Sequence, residues 1–152
     1  MDADTLISVN NLGMLLEAKG KLSEAEPLYR RALDGSEATL GPMHADTLIS
    51  VNNLGSLLQD QGKLSEAEPL YRRALDGSEA TLGPMHADTL ISVNNLGVLL
   101  KAQGKLSEAE PLYRRALEGR EATLGPMHAD TLISVNNLGM LLEAKGKLSE
   151  AE

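Results

Sequence analysis

Three histidines, His44, His86 and His128, are the side chains best suited to metal or proton chemistry in this 152-residue chain, which has no cysteine. They recur every 42 residues. A shared zinc ion needs its ligands about 2 Å from one centre, whereas packed helices lie about 8–10 Å apart, so equal positions on successive units cannot meet at one ion. The three are read as loop histidines, with no metal site. Arginine pairs at Arg30-Arg31, Arg72-Arg73 and Arg114-Arg115 could hold anions, but Glu26 and Asp34 stand four residues to either side of Arg30 and offset it. With a net charge of −8, the chain is no sequence-independent nucleic-acid binder. No nucleophile sits beside a base, no glycine-rich loop follows a strand and no carboxylate pair stands out, so neither catalysis nor a cofactor is expected. One polar column remains: Asn10, Asn52, Asn94 and Asn136 carry amides that both donate and accept, the chemistry that holds a peptide backbone without reading its side chains.

These residues recur because the chain is one unit repeated. Ala3 to His44, Ala45 to His86 and Ala87 to His128 are three near-identical repeats, and residues 129–152 copy residues 3–26 without a difference. A period in this range implies stacked supersecondary units that bury a face only against neighbours. The first segment of each repeat places Leu6, Val9, Leu12, Gly13 and Leu16 at steps of three and four, which predicts a helix capped by Asp4 and stopped at Gly20. A second helix is predicted from a capping box, Ser23-Glu24-Ala25-Glu26, through Leu28, Tyr29, Ala32, Leu33 and Leu40 to Gly41-Pro42. Pro27 costs that helix one backbone bond. Gly13 implies close approach of a neighbour, with Ala25 and Ala32 the small partners expected.

The run Val9-x2-Leu12-Gly13-x2-Leu16, then Gly20, Ala25-x3-Tyr29-x2-Ala32, has the spacing of the tetratricopeptide repeat. Gly20-Lys21-Leu22-Ser23-Glu24-Ala25-Glu26-Pro27-Leu28-Tyr29-Arg30-Arg31-Ala32-Leu33, followed by Leu40-Gly41-Pro42-Met43-His44, resembles the 42-residue variant found in kinesin light chains. Leu22 replaces a frequent tyrosine, and Ala45, Ala87 and Ala129 replace a frequent proline. The resemblance implies an all-α, right-handed solenoid of helix-turn-helix repeats. Its expected parts are 3–44, 45–86, 87–128 and a partial fourth repeat at 129–152 comprising a first helix and the start of a second. It also implies a concave groove that holds an extended or helical peptide.

The full repeats differ at the positions of residues 14, 17, 18, 19, 34 and 36, four of them at the end of the first helix. Positions 7, 10, 14, 17 and 18 form one stripe, centred about 110° round the helix from the Leu6, Val9, Gly13 and Leu16 face. The candidate peptide groove is therefore Asn10, Met14 and Glu17; Asn52, Ser56 and Gln59; Asn94, Val98 and Lys101; and Asn136, Met140 and Glu143. Asn11, Asn53, Asn95 and Asn137 are assigned to bonds between helices.

No basic, apolar leader begins the sequence, and uncharged runs such as 47–59 fall short of the roughly 20 residues that span a membrane, so a cytoplasmic protein is expected. The expected partner is a protein or peptide. The competing reading is a spacer or self-assembling rod, or a designed or excised array, because the second helix of the fourth repeat stops after its first residues. Uncapped ends of that kind favour head-to-tail association.

Overall fold

Apolar residues at steps of three and four wind into helix throughout the chain. The computed structural model describes the backbone of residues 2–151 and the side chains of residues 2–148, and among these it contains seven α-helices and no strand. They are α1 (Ala3–Ala18), α2 (Leu22–Leu40), α3 (Ala45–Asp60), α4 (Leu64–Leu82), α5 (Ala87–Ala102), α6 (Leu106–Leu124) and α7 (Ala129–Ala151). They fall into two units, Met1–Thr81 and Leu82–Glu152.

The stop at Gly20 is a Schellman turn. Gly20 has a φ of +77°, its N–H donates to the Glu17 carbonyl at 2.9 Å, and the Lys21 N–H donates to the Leu16 carbonyl at 2.8 Å. The same turn closes α3 at Gly62 and α5 at Gly104. At the far end, α2 and α6 stop before Gly41 and Gly125, which have φ of +93° and +91° and are each followed by proline.

The caps differ from expectation. Asp4 lies inside α1, and the N-cap is Asp2, whose carboxylate accepts the Thr5 N–H at 2.8 Å. The later first helices carry histidine at that position. His44, His86 and His128 accept the N–H of Asp46, Asp88 and Asp130 at Nδ1, each at 3.1 Å. The extended backbone of His44 and His86 leaves the ring within reach of that amide. The capping box does not form: α2 begins at Leu22, one residue before Ser23, and its N-cap Lys21 makes no side-chain cap. Glu26 turns instead to Arg30 at 3.1 Å and to Lys63 at 3.5 Å, where charge-assisted bonds replace one to a neutral amide.

Within the first unit α2 packs on α1 and α3 packs on α2, burying Leu6 and Val9 with Ala25, Tyr29, Ala32 and Leu33. The close approach at the helical glycine is to an aromatic ring and not to alanine. A Cβ on Gly13 would lie 2.8 Å from the Tyr29 ring, and one on Gly55 would lie 2.8 Å from the Tyr71 ring. Leu12, expected in the core, is 48% exposed, whereas its counterpart Leu54 in α3 is 1% exposed. Among the described helices α3 follows one that packs on it, whereas α1 is the first. Leu28 is only half-buried and Leu40 is exposed, so the buried stripe of α2 is narrower than its apolar residues suggest.

In the second unit α5 packs on α6 and α6 on α7. Leu138 and Leu141 of α7 are buried, while Leu132, Val135 and Leu142 are exposed. The fourth repeat does not turn at Gly146: α7 continues through it to Ala151. In the other repeats the chain turns back after the first helix, and the rings of Tyr29, Tyr71 and Tyr113 face Gly13, Gly55 and Gly97. Residues 129–152 carry no tyrosine, and a Cβ on Gly139 would meet nothing within 4 Å.

Candidate functional site

On α1 and α3, Asn10, Met14, Glu17, Asn52, Ser56 and Gln59 lie on one stripe, all of them half-buried or exposed. The asparagine columns act together. Asn53 Nδ2 donates to Asn10 Oδ1 at 3.4 Å, tying α3 to α1, and Asn10 Nδ2 makes a long contact of 3.8 Å with Met14 Sδ. The interhelical role expected of the second asparagine column is therefore seen at Asn53, and its acceptor is a residue of the candidate groove.

Beneath the stripe stand the tyrosines, which carry a polar function the sequence reading missed. Tyr29 is buried, and its hydroxyl donates to Glu17 Oε1 at 2.9 Å; the Tyr71 hydroxyl donates to Gln59 Oε1 at 3.1 Å. Burial pushes the Tyr71 phenol up to about 12. Tyr29 is raised in the same direction by burial and by its bond to Glu17. Phenols held this high stay protonated at neutral pH and act as donors that orient their partners, not as bases. Glu17 is itself raised above its ordinary value, first by burial and then by a hydrogen bond with the Asp60 carboxyl, which Tyr29 partly offsets. Position 17 thus serves the core through tyrosine while facing the stripe, and a change there alters both.

In the second unit the corresponding residues are Asn94, Val98 and Lys101 on α5 and Asn136, Met140 and Glu143 on α7. Asn137 Nδ2 donates to Asn94 Oδ1 at 3.2 Å, Asn136 Nδ2 approaches Met140 Sδ at 3.5 Å, and Glu143 pairs with Lys147 at 3.2 Å. Lys101 has no acceptor to offer the Tyr113 hydroxyl. An apolar column, Ile7, Ile49, Ile91 and Ile133, borders the asparagines and is 45–58% exposed. Four exposed isoleucines at one repeat position were a legible signal, since a large apolar residue off the core face has a cost in water. The arginine pairs lie on a different face, where Arg30, Arg72 and Arg114 bond to Glu26, Glu68 and Glu110 four residues earlier at 3.0–3.1 Å.

No described helix is long and apolar enough to cross a membrane. The sequence matches the tetratricopeptide-repeat profile over residues 4–80, 48–122 and 88–152. The comparison with curated proteins yields no match. Among solved structures, BtubC (BKLC) from P. vanneervenii is 28% identical with a TM-score of 0.83, covering 94% of this chain and 57% of that one. This chain therefore spans little more than half the length of that relative. The nearly identical TPR-like repeats of a putative kinesin light chain from P. anserina are 26% identical with a TM-score of 0.87, covering 97% of this chain and 70% of that one. The first tetratricopeptide domain of Spaghetti, solved with an HSP90 peptide, is 20% identical with a TM-score of 0.69, covers 96% of this chain and 97% of that one, and shares the fold. Proteins of this fold commonly mediate protein–protein interaction and are generally non-catalytic. Matching profiles over nearly every residue, together with paired helices closed by the same glycine turns, make the chain a member of the tetratricopeptide-repeat family, of the kinesin-light-chain-like kind.

Proposed function

We propose that this chain is a non-catalytic protein-interaction module that receives an extended peptide or partner helix along the first-helix stripe. The observation that carries the reading is the stripe itself. Three of the six positions that differ among the near-identical repeats, those of residues 14, 17 and 18, lie on it, beside an amide and an exposed isoleucine on each first helix. Such a surface offers backbone hydrogen bonds together with side-chain selection. The peptide-bound relative of the same fold is consistent with this use. Peptides selected by display against the intact chain are expected to lose binding at least tenfold with Asn52→Ala plus Asn94→Ala, at unchanged circular dichroism. Equal binding by that variant sinks the groove reading.

A second reading, self-association, is favoured by exposed leucines on the outermost helices, Leu12 and Leu15 on α1 and Leu132 and Leu142 on α7. The counterparts of the first two, Leu54 and Leu57, and of the last two, Leu90 and Leu100, are buried, so the same apolar positions already take a helix elsewhere. Light scattering over a wide concentration range is expected to show mass rising with concentration for this 152-residue chain. A constant monomer mass removes this reading.

A further inference from the structure

The third repeat differs from the first two at one buried position in the second helix, where Ser36 and Ser78 give way to Arg120. Arg120 is 8% exposed, and its guanidinium reaches back between α6 and α7, where Nη1 donates to Ser134 Oγ at 2.9 Å and to the Asp130 carbonyl at 3.3 Å. In the first unit the corresponding space holds no such side chain. It is a cleft of about 280 Å³ between α1, α2 and α3, lined among others by Ile7, Asn10, Ser36, Asp46, Ile49 and Ser50. Asp46 and Ser50 are the counterparts of Asp130 and Ser134, the two residues that accept from Arg120. The chain therefore shows, in its own third repeat, what fits the empty cleft of its first.

We propose that the cleft between α1, α2 and α3 is a receptor for the guanidinium of an arginine side chain presented by the bound peptide. The size suits a single side chain, since sites for drug-sized ligands run from about 300 to 1,000 Å³. The acceptors are in place: the Ser50 hydroxyl and the Asp46 main chain take the roles that Ser134 and Asp130 take with Arg120, and a planar guanidinium with five donors can use both at once. The acidic residue Asp46 lines the cleft, and the net charge of −8 draws a cationic ligand. Ile7 and Asn10 belong to both the cleft and the stripe, so an arginine entering here would project from a peptide lying on the stripe. This inference rests on the groove reading and specifies one side chain of its ligand.

The chain has four isoleucines, one per repeat, so labelling only isoleucine methyls gives one reporter for each. The probe is a blocked alanine-glycine decapeptide with one central arginine, and the control carries citrulline, which keeps the shape and removes the charge. Arginine peptide is expected to shift the Ile7 methyl and leave Ile133 still, with citrulline at least tenfold weaker. Ser36→Arg is expected to abolish the Ile7 response by filling the cleft as Arg120 fills its counterpart, with an unchanged thermal midpoint. Arg120→Ser is expected to make Ile133 responsive. Equal responses to arginine and citrulline, or an Ile7 response that survives Ser36→Arg, overturn the proposal. Display-selected peptides that depend on Asn52 and Asn94 but not on Ser36 would refute the cleft and leave the groove standing.

Discussion

At the scale of single residues, near-identical repeats make each substitution its own control. Gly55 and Gly139 occupy the same repeat position, yet a Cβ on Gly55 would lie 2.8 Å from a rigid tyrosine ring while one on Gly139 would meet nothing within 4 Å. Gly55→Ala is expected to destabilise the chain by about 1–3 kcal/mol through overpacking. Gly139→Ala is expected to stabilise it by about 1 kcal/mol through helix propensity. Urea unfolding of the two variants should show opposite signs. Glu17 makes a second case. Burial and the Asp60 carboxyl make the folded chain hold the Glu17 proton more tightly than the unfolded chain does. Its contribution to stability is then present below the ordinary value of 4.5 and is lost as pH rises through the higher folded value. Glu17→Gln, which can still accept from Tyr29 as Gln59 does from Tyr71, is expected to stabilise by a few tenths of a kcal/mol at pH 7 and by nothing at pH 4. Unfolding at both pH values checks this, and a gain that ignores pH counts against it. The sequence alone made Gly13 and its counterparts conspicuous, but it could not say that tyrosine was the neighbour. Ring placement depends on how two helices cross.

At the scale of elements, the ends of helices decided more than their middles. Every first helix after α1 is capped by a histidine that reads, in sequence, as part of a loop. Its Nδ1 takes the amide two residues on, and behind it Thr47, Thr89 and Thr131 donate their hydroxyls to the carbonyls of Gly41, Gly83 and Gly125 at 2.8 Å. The two bonds fix the turn between repeats. His86→Ala is expected to cost about 1 kcal/mol, with His86→Asn retaining most of it, as a cap requires an acceptor and not an imidazole. Thermal unfolding of the pair measures this, and equal losses would assign the residue another role. Asp4 misled as a cap because a good capping residue also stands well in the first turn of a helix, where its charge favours the dipole. Ser23 and Glu26 misled because a capping box competes with any cation in reach, and here Arg30 and Lys63 are both in reach.

At the scale of the whole molecule, the fourth repeat shows how far a sequence speaks for itself. Residues 129–146 copy residues 3–20, yet one segment ends in a turn at Gly20 and the other runs through Gly146 as helix. Appending a copy of Pro27–Leu40 after Glu152 is expected to restore the turn at Gly146 and raise the thermal midpoint. The Gly146 amide shift and calorimetry would report both, and a helix that stayed straight would mean the turn is not set by docking. The repeat period, the pairing of helices and the stripe that carries the differences were all determined by the sequence, because they follow from residue type and from spacing along one helix. The ring that fills the space over Gly13 and the cleft that Arg120 fills in one repeat and Ser36 leaves open in another were decided only by tertiary structure. Each depends on groups brought together from separate helices, and spacing along one helix does not encode that distance.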